Sequence, residues 1–289
     1  MNAPTIEQIW RYPAKSMLGE RLDTAELGTA GMLGDRGWAV RDEVRGGIRG
    51  AKKISGLMHL GARYLAPPSA RNRTPHIEIA LPDGTRVASS DADVDQRLSV
   101  ALDHEVTLWP LQPPTDLDHY RRGPADNDDF LQEMRDIFGR LEDEPLPDLT
   151  GFPEEIFEYE SPLGTYVDAF PLLVLTTGSL RTLQDRLPDS AIDLRRFRPN
   201  LVVETDDDAS WPELAWVGRR ARIGTATIEF AVPCPRCVMI TLPVQELPAD
   251  RAIMRTVVRD ADQNLGVYAT VVEAGTVTPG DSLELLTDF

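Results

Sequence analysis

The chain of 289 residues carries 47 acidic side chains against 30 lysines and arginines, a net charge of −17 with a pI near 4.6. A surface of that sign repels nucleic acid and anionic membranes, which excludes both as partners. Hydrophobic content of 42% excludes wholesale disorder, and two cysteines exclude a disulfide framework and suit a reducing cytoplasm. The opening residues, MNAPTIEQIW, show neither a basic n-region nor an apolar h-region. No apolar run approaches the roughly 18–20 residues that span a bilayer. Any anionic ligand must be held by a local cluster of arginines and lysines against the field of the whole molecule.

Residues 4–12 alternate as an opening strand that Pro13 ends, and 15–20 form a polar turn carrying Lys15 and Ser16. Residues 21–27 read as one further strand. Gly28, Gly31 and Gly34 punctuate the next connection, and Asp35-Arg36-Gly37 leads into a strand at 38–41. Ile77, Ile79 and Leu81 share one face of a strand, Pro82-Asp83-Gly84 is a hairpin turn, and 86–88 is its second arm. Residues 106–109 close this series before Pro110. Short strands with Gly/Pro turns predict a β-barrel or sandwich over residues 1–112.

Residues 115–160 hold fifteen acidic side chains and four arginines, a local charge of −11. Within them Phe130, Leu131, Met134, Ile137, Phe138 and Leu141 recur at helical spacing, with Asn127 or Asp128 placed to cap the helix. Such a stretch is a solvated linker or, on a sharper reading, a lid that selects cationic or neutral substrates; it separates residues 1–112 from 161–289 as a connecting segment, 113–160. Residues 170–175 form a buried strand running into Thr176, Thr177 and Ser179 at the start of a helix, a ready anion site by its free N–H groups and dipole, though such residues also serve as plain N-caps. Arg195, Arg196 and Arg198 precede a strand at 201–204 and suit a phosphate or a charged surface. The remainder is β-rich, at 221–231, 265–272 and 282–286.

The stretch 232–242, VPCPRCVMITL, holds both cysteines. A strand delivers side chains to a fixed point at its end, Pro233 and Pro235 interrupt the ladder there, and 238–242 reads as a second strand. Cys234 and Cys237 are therefore a rigidly presented soft ligand or a pair of small buried hydrophobes. As half of a zinc site they lack companions, because His59, His76, His104 and His119 all lie far upstream without finger spacing.

Four separated stretches, YPAKSMLGE (12–20), GDRGW (34–38), FRPNLVVE (197–204) and CPRCVMITLP (234–243), together with LGVYATVVEAGTVTPGD (265–281), resemble the MOSC proteins that carry an N-terminal MOSC β-barrel, a group that includes the amidoxime-reducing components and their bacterial relatives. The resemblance covers nearly the whole chain. It implies a mostly β fold with a few helices (α+β), an N-terminal β-barrel domain followed by a C-terminal MOSC β-barrel domain. It also implies a molybdenum cofactor, a pterin dithiolene holding molybdenum with one protein thiolate. By motif position that ligand is Cys237, also the catalytic position, with Cys234 structural. The cofactor contacts it implies are Lys15, Ser16 and Arg36 from the first domain and Thr177, Ser179, Arg198, Asn200, Arg236 and Tyr268 from the second, around a site between the two. The implied reaction is reductive removal of oxygen from an N-hydroxylated small molecule such as an amidoxime or hydroxylamine. No cysteines remain for an iron–sulfur cluster, so electrons are expected from a separate ferredoxin or flavin reductase. Pro235 stands where relatives often have a small polar residue. A non-catalytic carrier of the cofactor or its sulfur is the alternative.

Overall fold

The computed structural model describes residues 3–205 and 209–287. In chain order the strands are β1 (Thr5–Arg11), β2 (Glu20–Leu22), β3 (Ala25–Gly28), β4 (Gly31–Met32), β5 (Trp38–Asp42), β6 (Gly61–Tyr64), β7 (Ile77–Ala80), β8 (Arg86–Ala88) and β9 (Val106–Pro110). They continue as β10 (Leu172–Thr176), β11 (Leu201–Glu204), β12 (Arg220–Ile223), β13 (Ala226–Pro235), β14 (Asn264–Glu273), β15 (Gly275–Val277) and β16 (Leu283–Leu285). The helices are α1 (Val94–Leu102), α2 (Leu117–Tyr120), α3 (Phe130–Phe138), α4 (Glu155–Glu158), α5 (Thr177–Arg186), α6 (Leu194–Phe197) and α7 (Arg251–Asp260). The fold is mostly β, as the sequence predicts.

One eight-stranded sheet, ordered β16-β12-β13-β14-β10-β11-β1-β2, organises the molecule. Its neighbours run antiparallel except β10 and β11, which are parallel because α5 and α6 carry the chain across between them. A bulge between Ile6 and Gln8 resets the side-chain phase of β1, so that Ile6 and Ile9, three residues apart, both turn into the core. Backbone hydrogen bonds from Gly280 to Ile6 (2.7 Å), Ile6 to Asp281 (2.9 Å) and Leu283 to Pro4 (2.7 Å) tie β1 to the run entering β16. The sheet thus curls back on itself around Ile6, Ile9, Val174, Val203, Ile228, Phe230, Val267 and Leu283.

A second core lies under β5–β9 and the β6-β7-β8 meander, where Met17, Trp38, Leu57, Leu60, Ile77, Ile79 and Leu98 pack together. It does not stop at the end of the N-terminal segment, since Met239 and Val244 belong to it. The first strand in turn belongs to the large sheet, so the halves divided at 112 and 161 are interlocked through β1 and through the segment after Cys237.

Several local expectations change. Residues 21–27 are two strands, because β2 pairs with β1 whereas β3 turns away to pair with β15. Residues 238–242 are not a strand: Val238–Thr241 is a 3-10 turn that sends Met239 into the N-terminal core and Ile240 against α7. Helix α7 buries Ile253, Met254 and Val257 at helical spacing in a region read as β-rich.

Helix α3 forms where expected, capped by Asp129 rather than Asn127 or Asp128, with Met134, Ile137 and Phe138 half-buried but its first-turn apolar residues outside. Glu133 is its one buried residue, ion-paired to Lys53 at 2.5 Å, while Phe130 and Leu131 are 71% and 53% exposed. The acidic stretch around it is strapped down by basic residues of both halves. Asp126 pairs with Arg49 and Lys53, Glu144 with Arg255, and Arg140 reaches Gln263 and the carbonyl of Arg236. Among the described residues no helix is long and apolar enough to cross a membrane.

Candidate functional site

A cleft lies at the end of β13, bordered by Met239 of the second core and by Phe197. β13 delivers its tail there. Its ladder with β14 slips between Pro233 and Pro235, and the next amide, Arg236 N–H, donates to Gln263 O at 2.9 Å. Cys234 is 1% exposed; burial pushes its thiol up, against the opposing pull of Arg236, whose Nη1 donates to the sulfur at 3.2 Å. Cys237 is only half-buried and lines the cleft.

Cations converge on the same space. Arg36 and Arg198, 162 positions apart in the chain, both line it with left-handed backbones (φ 50° and 58°). Burial, then repulsion from Arg36, lowers Arg198 to about 10. Arg198 Nη1 donates to Met17 O, whereas its Nη2 is buried without a protein partner, as is Arg236 Nε. Asn200 also lines the cleft, fixed by accepting from Leu173 N–H (3.1 Å) and donating to Asp35 Oδ2 (3.0 Å). Tyr268 closes one wall, its ring stacked on Phe170 at 5.2 Å with Phe152 edge-on to both.

Lys15 stands behind this lining and donates to Asp168 Oδ1 at 2.8 Å and to Tyr166 O at 2.9 Å. The Asp168 side chain is half-exposed, and Lys15 and Lys52 hold its carboxyl far below the usual range. Burial pulls the Lys15 ammonium down, against Asp168. Ser16, with φ 65°, accepts from Ala51 N–H at 2.9 Å, and Gly50 is required there because a Cβ would come within 2.7 Å of the Ser16 hydroxyl.

The structure thus brings Arg36, Arg198, Asn200, Arg236, Cys237 and Tyr268 into one cleft, with Lys15 and Ser16 just behind it. It does not bring Thr177 and Ser179 there. The Ser179 hydroxyl donates to buried Glu213 at 2.5 Å, and the Thr177 hydroxyl oxygen accepts from Arg181 and from Thr205 N–H. The partner at the start of α5 is an internal carboxyl, Glu213. Sequence reasoning missed Asp168, Phe170 and Lys52; the pairing of Lys52 with Lys53 in an acidic chain was the available signal.

The donor set suits a metal that brings most of its own ligands. Among the described residues no three His, Cys, Asp or Glu side chains gather to hold an ion, so Cys237 offers one thiolate and little else. Around it Lys15, Lys52, Arg36, Arg198 and Arg236 outnumber the nearest carboxylates, Asp35, Asp168 and Glu160. Buried, unpartnered guanidinium N–H groups in such a setting fit an anionic, multidentate ligand such as a pterin phosphate.

The chain is similar to several known proteins. Mitochondrial amidoxime reducing component 2 of Bos taurus is 24% identical over 309 residues, covering 96% of this chain and 82% of that protein. Molybdenum cofactor sulfurase of Oryza sativa subsp. japonica is 26% identical over 258 residues, covering 82% of this chain and 28% of that one. The solved YuaD protein of Bacillus subtilis aligns over 100% of this chain and 98% of its own, at 12% identity and a TM-score of 0.44. Residues 3–105 match the MOSC N-terminal beta barrel domain and residues 164–284 the MOSC domain, and the chain belongs to the MOSC family.

Proposed function

We propose that the cleft binds a molybdenum–pterin cofactor through Cys237 and that the protein reduces N-hydroxylated small molecules such as amidoximes and hydroxylamines. The observation that carries this reading is the meeting of a half-buried thiol with two buried guanidinium groups, Arg198 and Arg236, each with one nitrogen left without a protein partner, in one cleft. When bound, the cofactor supplies two-electron oxygen-atom transfer. The chain's own part is to bind and orient. Cys237 supplies the metal's protein ligand, Arg36, Arg198, Arg236 and Asn200 grip the anionic pterin, and Lys15 with Lys52 keeps Asp168 ionised at the rim. Electrons come from a separate protein of ferredoxin or flavin-reductase type, and the work is done in a reducing cytoplasm, a reading that the two free thiols support.

The match to a molybdenum cofactor sulfurase supports a second reading, a carrier of the cofactor or its sulfur. Molybdenum and pterin content of wild type and Cys237→Ser, made in cells that synthesise the cofactor, tests the first step. Stoichiometric metal in wild type, lost at least tenfold in the variant, is expected. Turnover of benzamidoxime with reduced methyl viologen then separates reductase from carrier. A wild type holding neither metal nor pterin overturns both readings.

A further inference from the structure

Two residues outside the cleft lining account for how its arginines are held. Tyr12 is 3% exposed and lies behind the cleft, with the Arg198 guanidinium 4.2 Å and the Arg36 guanidinium 5.1 Å from its ring centroid. Its hydroxyl donates to Pro199 O at 3.0 Å, between Arg198 and Asn200, and its carbonyl accepts from Arg36 N–H at 2.7 Å. Gly19 packs closely against the ring, where a Cβ would come within 2.6 Å of it.

Asp35 completes the frame. Its side chain is 3% exposed; Oδ1 accepts from Tyr12 N–H at 2.8 Å, and Oδ2 accepts from Asn200 at 3.0 Å and pairs with Arg36. One tyrosine and one carboxylate therefore touch all three of Arg36, Arg198 and Asn200. Two like-charged guanidiniums repel each other before any ligand arrives. An aromatic face attracts cations and a carboxylate fixes a guanidinium's direction, so this frame opposes the repulsion and sets the geometry in advance.

We propose that Tyr12 and Asp35 are positioning residues that pre-assemble Arg36, Arg198 and Asn200 into a ready-made cradle for the anionic part of the ligand. This rests on reading the cleft as the cofactor site.

The test uses the full chain made in cells that synthesise the cofactor, as wild type, Tyr12→Phe, Tyr12→Leu and Asp35→Asn. Pterin retained per chain after gel filtration is read by the fluorescence of its oxidised form. Pyrophosphate affinity of chains made without the cofactor is read by calorimetry, and far-UV circular dichroism reports the fold. Tyr12→Phe keeps the ring and stays within about twofold of wild type on both measures. Tyr12→Leu loses about tenfold in both.

Asp35→Asn separates positioning from plain electrostatics. Removing a negative charge beside an anion site strengthens binding if charge alone matters, whereas loss of the frame weakens it by about tenfold. Weaker binding by folded Asp35→Asn supports the proposal, and tighter or unchanged binding overturns it. If Tyr12→Leu does not fold, Asp35→Asn decides. Full pterin in every variant overturns the positioning role while leaving the cofactor reading intact. A wild type with no pterin and no pyrophosphate binding removes both.

Discussion

Arg236 donates to the Cys234 sulfur, and the Tyr268 hydroxyl lies against the same atom, while Cys237 faces the cleft half-buried. The two thiols of the C-x-x-C therefore have different work. Cys234→Ala is expected to keep its metal and pterin within twofold of wild type and to lose about 1 kcal/mol of stability through the vacated contacts. Equal metal loss from Cys234→Ala and Cys237→Ser would contradict that division. The cysteines were legible in the sequence because a fixed spacing between two prolines advertises them. Tyr12 and Asp35 were not legible as more than members of a motif, because their role lies in contacts with residues more than 160 positions away. Thr177 and Ser179 were misread for a related reason. A helix N-terminus advertises a place for an acceptor without saying where it comes from, and here the Glu213 carboxyl supplies one from 34 residues beyond Ser179.

Glu213 ties three elements together, accepting from Thr176 and Ser179 at the start of α5 and from Gly266 N–H in β14. Burial pushes its carboxyl up, against the pull of those donors. A folded-state pKa above the unfolded value of about 4.3 means that the fold prefers the protonated form. Its contribution is therefore most favourable below about pH 4.3 and is lost as pH rises through the folded value. Glu213→Gln keeps the hydrogen bonds without the charge, so urea denaturation should show its stability rising relative to wild type as pH climbs above about 4.3. A difference that stays constant from about pH 4 upward would mean that Glu213 is ionised in the fold without penalty. Helix α3 makes a second case at this scale. Its periodicity correctly gave a helix but did not show that an ion pair to Lys53 buries Glu133 beside Met134 and Ile137 while Phe130 and Leu131 stay outside. Glu133→Ala is expected to cost about 1–3 kcal/mol and Leu131→Ser less than about 0.5, the reverse of what the hydrophobic pattern implies, as chemical denaturation will show.

The whole molecule carries two domain matches on one interlocked framework. β1 belongs by sequence to the N-terminal part, yet it pairs with β11 and places Ile6 and Ile9 in the core of the large sheet. β3 likewise pairs with β15 near the other end of the chain, and Met239 and Val244 fill the N-terminal core from the C-terminal side. Short strands with Gly/Pro turns revealed the fold class, but this exchange was hidden, since no local pattern states which sheet a strand will join. Two domains joined by a linker unfold in two steps, whereas halves that share a sheet and a core lose both together. Calorimetry of the full chain is therefore expected to show one transition whose calorimetric and van't Hoff enthalpies agree. Residues 161–289 expressed alone would leave β11 without its partner and the core without Ile6 and Ile9, two fully buried side chains worth about 1.5–3 kcal/mol each in transfer alone. That fragment should collapse without fixed tertiary packing, showing weak near-UV dichroism and binding of a hydrophobic dye. A sharply melting, well-dispersed 161–289 fragment, or two separate transitions in the full chain, would show instead that β1 is an ornament on an independent domain. The cleft would then have to be assembled by docking two preformed bodies rather than by folding one.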